Sequence, residues 1–158
     1  MMKILLATDG SEYSKVAVEE LARMPFQLNT EVRILSIFDN SLASAMGSVP
    51  MGGLPSTYND AILIAKEVSE KNVKDAAKSL KKANSKLSIT TTVVPGSPKN
   101  AILDESENYG ANLIVVGSHG YGAFSRFLLG SVSQAVSLHA NCSVLIVRKQ
   151  DVTEKRQL

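Results

Sequence analysis

"LIVVGSHGYGAFSRFLLGSVSQAV", Leu113 to Val136, decides how this chain is read. Leu113 to Val116 are aliphatic without alternation, the pattern of a short strand covered on both faces. Gly117, Gly120, Gly122 and Gly130 crowd the segment that follows. Val132, Ala135, Val136 and His139 then recur at helical spacing. The unit is strand, glycine-rich loop, helix. In an open parallel sheet such a loop lies at the carboxyl edge of the strands, where ligands bind.

The same alternation extends outward in both directions. Ile4 to Thr8, Val32 to Phe38, Ile89 to Val94 and Val144 to Val147 are the other strand candidates. Ala17, Val18, Leu21 and Ala22 mark one helix, and a stripe from Ala61, Ile64, Ala65 and Val68 through Val73, Ala76, Ala77, Leu80 and Ala83 marks a longer one. Ser97-Pro98 opens a third, with serine at the cap and proline at the first helical position. The order β-α-β-α-β-α-β-α-β predicts a single-domain, Rossmann-like α/β fold, a doubly wound five-stranded parallel sheet with helices on both faces. The domain is expected over residues 1–149, with a polar tail at 150–158. Residues 39–59, rich in glycine, proline and serine, are expected to be a disordered connection or a lid.

A chain of 158 residues is long enough to bury about 70% of the surface its unfolded form exposes. Seventeen basic against 15 acidic residues leave a net charge of +2, which supplies no general attraction for nucleic acid. Lys71, Lys74, Lys78, Lys81, Lys82 and Lys86 interleave with an apolar stripe and read as a solvated helix face. The single cysteine, Cys142, excludes an internal disulfide and reads as a small buried residue, and a reducing, cytoplasmic setting is the expectation. With a strand beginning at Lys3 and no long apolar run, neither a leader nor a membrane span is expected.

Three loops meet at the ligand edge of such a sheet. At Gly117 to Ser133 the glycines let backbone N–H groups approach an anion, and the helix opening at Gly130-Ser131-Val132-Ser133 would aim its dipole at a phosphate. The spacing matches neither the P-loop nor the dinucleotide fingerprint, so a plain glycine-rich turn with Ser131 as helix cap is the competing reading. Asp9, in "TDGSE", has two readings as well: a carboxylate for ribose hydroxyls or a hydrated metal ion, or a helix cap paired with Glu12. His119 is placed to donate to a phosphate or to stand as an ordinary loop histidine, and His139 suits the end of a helix. No catalytic triad, cysteine nucleophile or paired carboxylates can be assembled.

The spacing G-x-x-G, nine residues, G-S, at Gly117, Gly120, Gly130 and Ser131, resembles the nucleotide-binding signature of the universal stress protein family. "KILLATDGSE", "NLIVVGSHG" and "LLGSVSQAVSLHANCSVLIV" extend the likeness across almost the whole chain. The resemblance implies strand order 3-2-1-4-5, a homodimer paired through the last strand, and ATP or another adenine nucleotide at the carboxyl edge. Asp9 would contact ribose and Ile37 the adenine through its backbone. Val116, Gly117, His119 and Gly120 match the nucleotide-facing loop; Gly130, Ser131, Val132 and Ser133 match the triphosphate cradle. Ala7 stands where many members have proline.

The function expected is an ATP-responsive binding module in stress response or signalling, with slow or no hydrolysis. Magnesium would be held through the phosphates, with no protein ligand assigned and Asp9 as the one candidate. The competing functions are a true ATPase using Asp9, magnesium and His119 or Arg126, and a nucleotide-free dimer that binds an unknown protein partner.

Overall fold

A computed structural model of the chain describes residues 1–26, 29–38, 58–120 and 128–149. Nine elements alternate along it: β1 (Lys3–Ala7), α1 (Glu12–Arg23), β2 (Glu31–Phe38), α2 (Tyr58–Ala83), β3 (Ser88–Pro95), α3 (Pro98–Tyr109), β4 (Leu113–Gly117), α4 (Ser131–His139) and β5 (Ser143–Val147). All strands pair in parallel, in the order β3-β2-β1-β4-β5. The expected architecture and strand order are those observed.

β1 is the central strand, and Ile4 to Ala7 are buried on both sides. Ile4 and Leu6 join Val32, Ile34 and Val115 against Ala17, Val18 and Leu21 of α1 and Val73, Ala76 and Leu80 of α2. Leu5 and Ala7 face the other way with Leu35, Ile114 and Val116, under Ile102 of α3 and Val136 of α4. Two apolar layers on one sheet explain why β1 and β4 read as unbroken aliphatic runs. At about 1.5–3 kcal/mol per fully buried aliphatic side chain, these layers dominate the folding free energy.

The long helix departs from its expected face. Ile64 and Val68, assigned inward by periodicity, are 52% and 53% exposed, and Ala83 is exposed as well. The reason is the face: at 3.6 residues per turn Ile64 and Val68 lie well round the helix from Ser69, Val73, Ala76 and Leu80, which are buried, whereas Ile62, on the same side as those four, is half-buried. Tyr58 and Asn59 belong to this helix rather than to the connection before it; residues 39–57, and the tail at 150–158, lie outside the described residues. The lysines of α2 are exposed, as expected of its outer face. Cys142 is half-buried against the α3–α4 layer, and burial pushes its thiol up.

At the amino ends of the strands, Arg33 Nη1 donates to Glu105 Oε1 at 2.6 Å while its guanidinium lies 4.0 Å from the centre of the Tyr109 ring. Lys3 Nζ donates to the Tyr109 carbonyl at 3.2 Å. These contacts pin α3 to β1 and β2 at the end of the sheet opposite the ligand edge. Burial, and after it the charge of Glu31, push the Tyr109 phenol above its ordinary value of 10.0, with Arg33 opposing them. The folded chain therefore holds this proton more tightly than the unfolded one. Its contribution to stability is complete below about pH 10 and drains away as pH rises through the folded value. Thermal unfolding of Tyr109→Phe is expected to decline less than that of the native chain between about pH 9 and 11; parallel declines would contradict the assignment.

Candidate functional site at the carboxyl edge of the sheet

β1 ends at Ala7, and Thr8 N–H continues its pairing by donating to Leu35 O at 2.9 Å. The chain then turns sharply. Gly10 has φ +78°, where a side chain is strained, and a Cβ there would come within 2.3 Å of Asn72 Oδ1 on α2. Ser11, not Asp9, is the cap of α1: its hydroxyl accepts from Ser14 N–H at 3.3 Å. Thr8 Oγ1 donates to Ser14 Oγ, and Ser14 Oγ to Ser11 O, so this buried turn is held by its own hydroxyls. Glu12 pairs with Lys15 at 3.1 Å, which lowers its carboxyl, and forms no capping box.

Freed from capping, the Asp9 carboxylate has one partner among the described residues, accepting from Ser11 N–H through Oδ1 at 2.9 Å. Its other oxygen lies over Gly120, where a Cβ would stand 2.7 Å from Oδ2. The loops that follow β1 and β4 thus meet at Asp9 and Gly120, two of the residues singled out in the sequence.

Gly117 and Gly130 answer to different neighbours. A Cβ on Gly117 would lie 2.7 Å from the carbonyl carbon of Tyr13, because the first turn of α1 rests directly on the end of β4. Gly130 is the cap residue of α4, with φ −62°; a Cβ there would lie 3.1 Å from both His119 Cα and Ser118 O. Ser131 is consequently the first helical residue rather than the cap. Ser118 O accepts from Gly130 N–H at 2.8 Å and from Ser133 Oγ at 2.9 Å, which locks the start of α4 to the end of β4.

The first intrahelical bond of α4 is Gln134 N–H to Gly130 O, at 2.9 Å. It leaves the N–H groups of Ser131, Val132 and Ser133 without an intrahelical partner, as the first turn and positive end of the dipole. Ser133 is 2% exposed and its hydroxyl donates internally, so this residue offers an anion its backbone rather than its side chain. Ser131 is exposed, and Val132 is half-buried in the core beneath.

His119 is expected from sequence to donate to a phosphate, and its ring is otherwise engaged. Nε2 meets Leu128 O, and Nδ1 lies 3.0 Å from Ser118 Oγ. A carbonyl only accepts, so Nε2 carries the hydrogen and Nδ1 accepts from the serine. The ring packs 5.0 Å from that of Tyr13. His119 therefore ties residue 119 to residue 128 and braces both against α1.

Tyr13, Asn72 and Ser118 went unmarked in the sequence. Nothing in their spacing signals a role; each acts through a neighbour distant along the chain. Val116 is buried in the core, and Ile37 is half-buried on the strand beside β1, two residues beyond Leu35. Arg126 and Gly122 lie outside the described residues. Among the described residues no group of three His, Cys, Asp or Glu side chains is placed to hold a metal, and no helix is long and apolar enough to cross a membrane.

The chain is similar to known proteins in sequence and in fold. YxiE, a universal stress protein of Bacillus subtilis, is 31% identical over 147 residues, 92% of this chain and 98% of its own length. The fold matches that of the hypothetical protein MJ0577 with a TM-score of 0.79 at 25% identity, covering 95% of this chain and 97% of the other. It also matches a protein of Arabidopsis thaliana with AMP bound, with a TM-score of 0.67 at 18% identity, covering 95% and 93%. Residues 1–148 match the pattern of the universal stress protein family, and the chain belongs to that family.

Proposed function

We propose that the chain is an ATP-binding universal stress protein, acting in the cytoplasm as a homodimer whose state responds to the nucleotide. The observation that carries this reading is the convergence of Asp9, Gly120 and the open first turn of α4 at one edge of the sheet. Asp9 Oδ2 is left to accept from a ribose hydroxyl. The N–H groups of Ser131 to Ser133 suit phosphate oxygens, and Ile37 would offer its backbone to the adenine. The AMP carried by the Arabidopsis protein of the same fold supports the ligand class.

A magnesium ion fits this site only in company with the phosphates. Asp9 is the sole carboxylate at the junction described, and one of its oxygens is already engaged by Ser11. Such an ion would neutralise phosphate charge. The chain's own residues orient the nucleotide, and none of those described at the site is placed as a base for water. Any hydrolysis is proposed to be slow.

The homodimer is proposed to form through β5, which among the described residues pairs with β4 alone; Leu138 of α4 is 71% exposed. Removing the ribose contact provides the test of the site. Asp9→Ala is expected to weaken ATP binding by about 10–100-fold in equilibrium dialysis, the value of a hydrogen bond to a charged group. Unchanged affinity would place the nucleotide elsewhere. Turnover near one per second, abolished by the same substitution, would replace the binding module with an ATPase.

A further inference from the structure

β3 is the other edge of the sheet: among the described residues it pairs with β2 alone. Ser88 N–H donates to Thr30 O at 3.3 Å and Gly96 N–H to Phe38 O at 3.0 Å. Bonding alternates along a strand, so the N–H groups of Ile89, Thr91 and Val93 point away from β2. Pro95, which has no N–H, ends the free edge. Beside it runs a groove of about 350 Å³ between β3 and α2, lined by Ala77, Lys78, Lys81, Ile89 and Thr91. Two of the three residues with outward N–H groups form its floor.

The charge around this groove is one-sided. Residues 76–103, the second half of α2 through the start of α3, carry five lysines and no acidic residue, while the other 130 residues carry 12 basic against 15 acidic. Lys78, Lys81, Lys82 and Lys86 are all exposed, and Lys81 Nζ is fixed beside the strand's entry by donating to Leu87 O at 2.9 Å. A chain with net charge +2 thus concentrates its cations along its one threonine-rich strand edge.

We propose that the outer edge of β3 docks an extended, acidic peptide segment of another protein, which adds to the sheet as a sixth strand. The free backbone groups of Ile89, Thr91 and Val93 supply the pairing, and the lysines of α2 select the charge. A second copy of this chain is disfavoured at the same place, since two β3 edges would bring their lysine rims together. Nucleic acid fits less well, because no aromatic ring lines the groove to stack a base.

The test uses the full chain and a fluorescein-labelled nine-residue peptide alternating glutamate with valine and threonine, followed by anisotropy. Saturable binding is expected, at least tenfold tighter than for the same peptide with lysine in place of glutamate. Thr91→Pro removes an outward N–H while leaving the β2 ladder intact, as edge positions allow. It is expected to weaken binding at least tenfold with an unchanged thermal midpoint, and Lys78→Glu to do the same. A peptide N-methylated at alternate residues probes those bonds without altering the protein, and should also bind at least tenfold more weakly. Absence of saturable binding would overturn the proposal. So would equal affinity for the N-methylated peptide, which would mean attraction by charge alone, or tighter binding of an oligothymidine competed by none of the peptides.

Discussion

Gly117→Ala is expected to destabilise the folded chain by about 2–3 kcal/mol, lowering its thermal midpoint by about 5–10 °C. A single methyl group carries this cost because of what it meets. The Cβ would stand 2.7 Å from the Tyr13 carbonyl carbon, 2.8 Å from its oxygen and 3.0 Å from Ser14 N, all of them backbone atoms in the first turn of α1. A side chain swings aside, but that turn is held by Ser11 and Ser14, and behind it Ala17, Val18 and Leu21 are packed into the core. Relief requires the whole helix to shift on the sheet. Calorimetry on the variant without ligand isolates the effect from nucleotide binding. A midpoint within about 1 °C of the native chain would mean that α1 does not rest on Gly117.

Three residues further on, the same kind of substitution has the opposite consequence. Among the described residues a Cβ on Gly120 meets Asp9 Oδ2 at 2.7 Å, with Asp9 Cγ next at 3.9 Å. The obstacle is the free end of one side chain, so the fold accommodates Gly120→Val by rotating Asp9 away. That rotation removes the carboxylate from its place between the loops, and the valine occupies the space beside it. ATP affinity is expected to fall at least tenfold, about 1.4 kcal/mol, with a thermal midpoint in the unliganded state within about 2 °C of native. A variant that bound ATP normally would separate Asp9 from the nucleotide site. One that failed to fold would show Gly120 to be a packing glycine like Gly117.

These two positions mark what was legible in the sequence. The glycines announced themselves by residue type, and the spacing from Gly117 to Ser131 identified the family. Their separate tasks were hidden, because each depends on the atom opposite: Tyr13 backbone for Gly117, Asp9 for Gly120, Ser118 and His119 backbone for Gly130. For Gly130, valine would press on backbone as well as on any phosphate, so the smaller Gly130→Ala is the sounder probe of the cradle. The strands were readable wherever both faces are covered, as at Ile4 to Ala7 and Leu113 to Val116.

Reading failed where an apolar residue falls off the packed face. Ile64 and Val68 recur at helical spacing, yet they lie round the helix from Ser69, Val73, Ala76 and Leu80, the residues of α2 that are buried. Asp9 had two readings, ribose ligand or helix cap, and the geometry decides against the cap: Ser11, two residues later, caps α1 and leaves the Asp9 carboxylate beside Gly120. His119 was identified as a site residue, but its hydrogen serves Leu128. Phosphate charge therefore falls chiefly to the first turn of α4 in the proposed site.

The most direct measurement is a calorimetric titration of the purified chain with ATP in the presence of magnesium, after any copurified nucleotide has been removed and identified. One ATP per chain, displaced by AMP and weakened by Gly120→Val, is the predicted result. No heat of binding, together with no nucleotide released from the purified protein, would contradict the account.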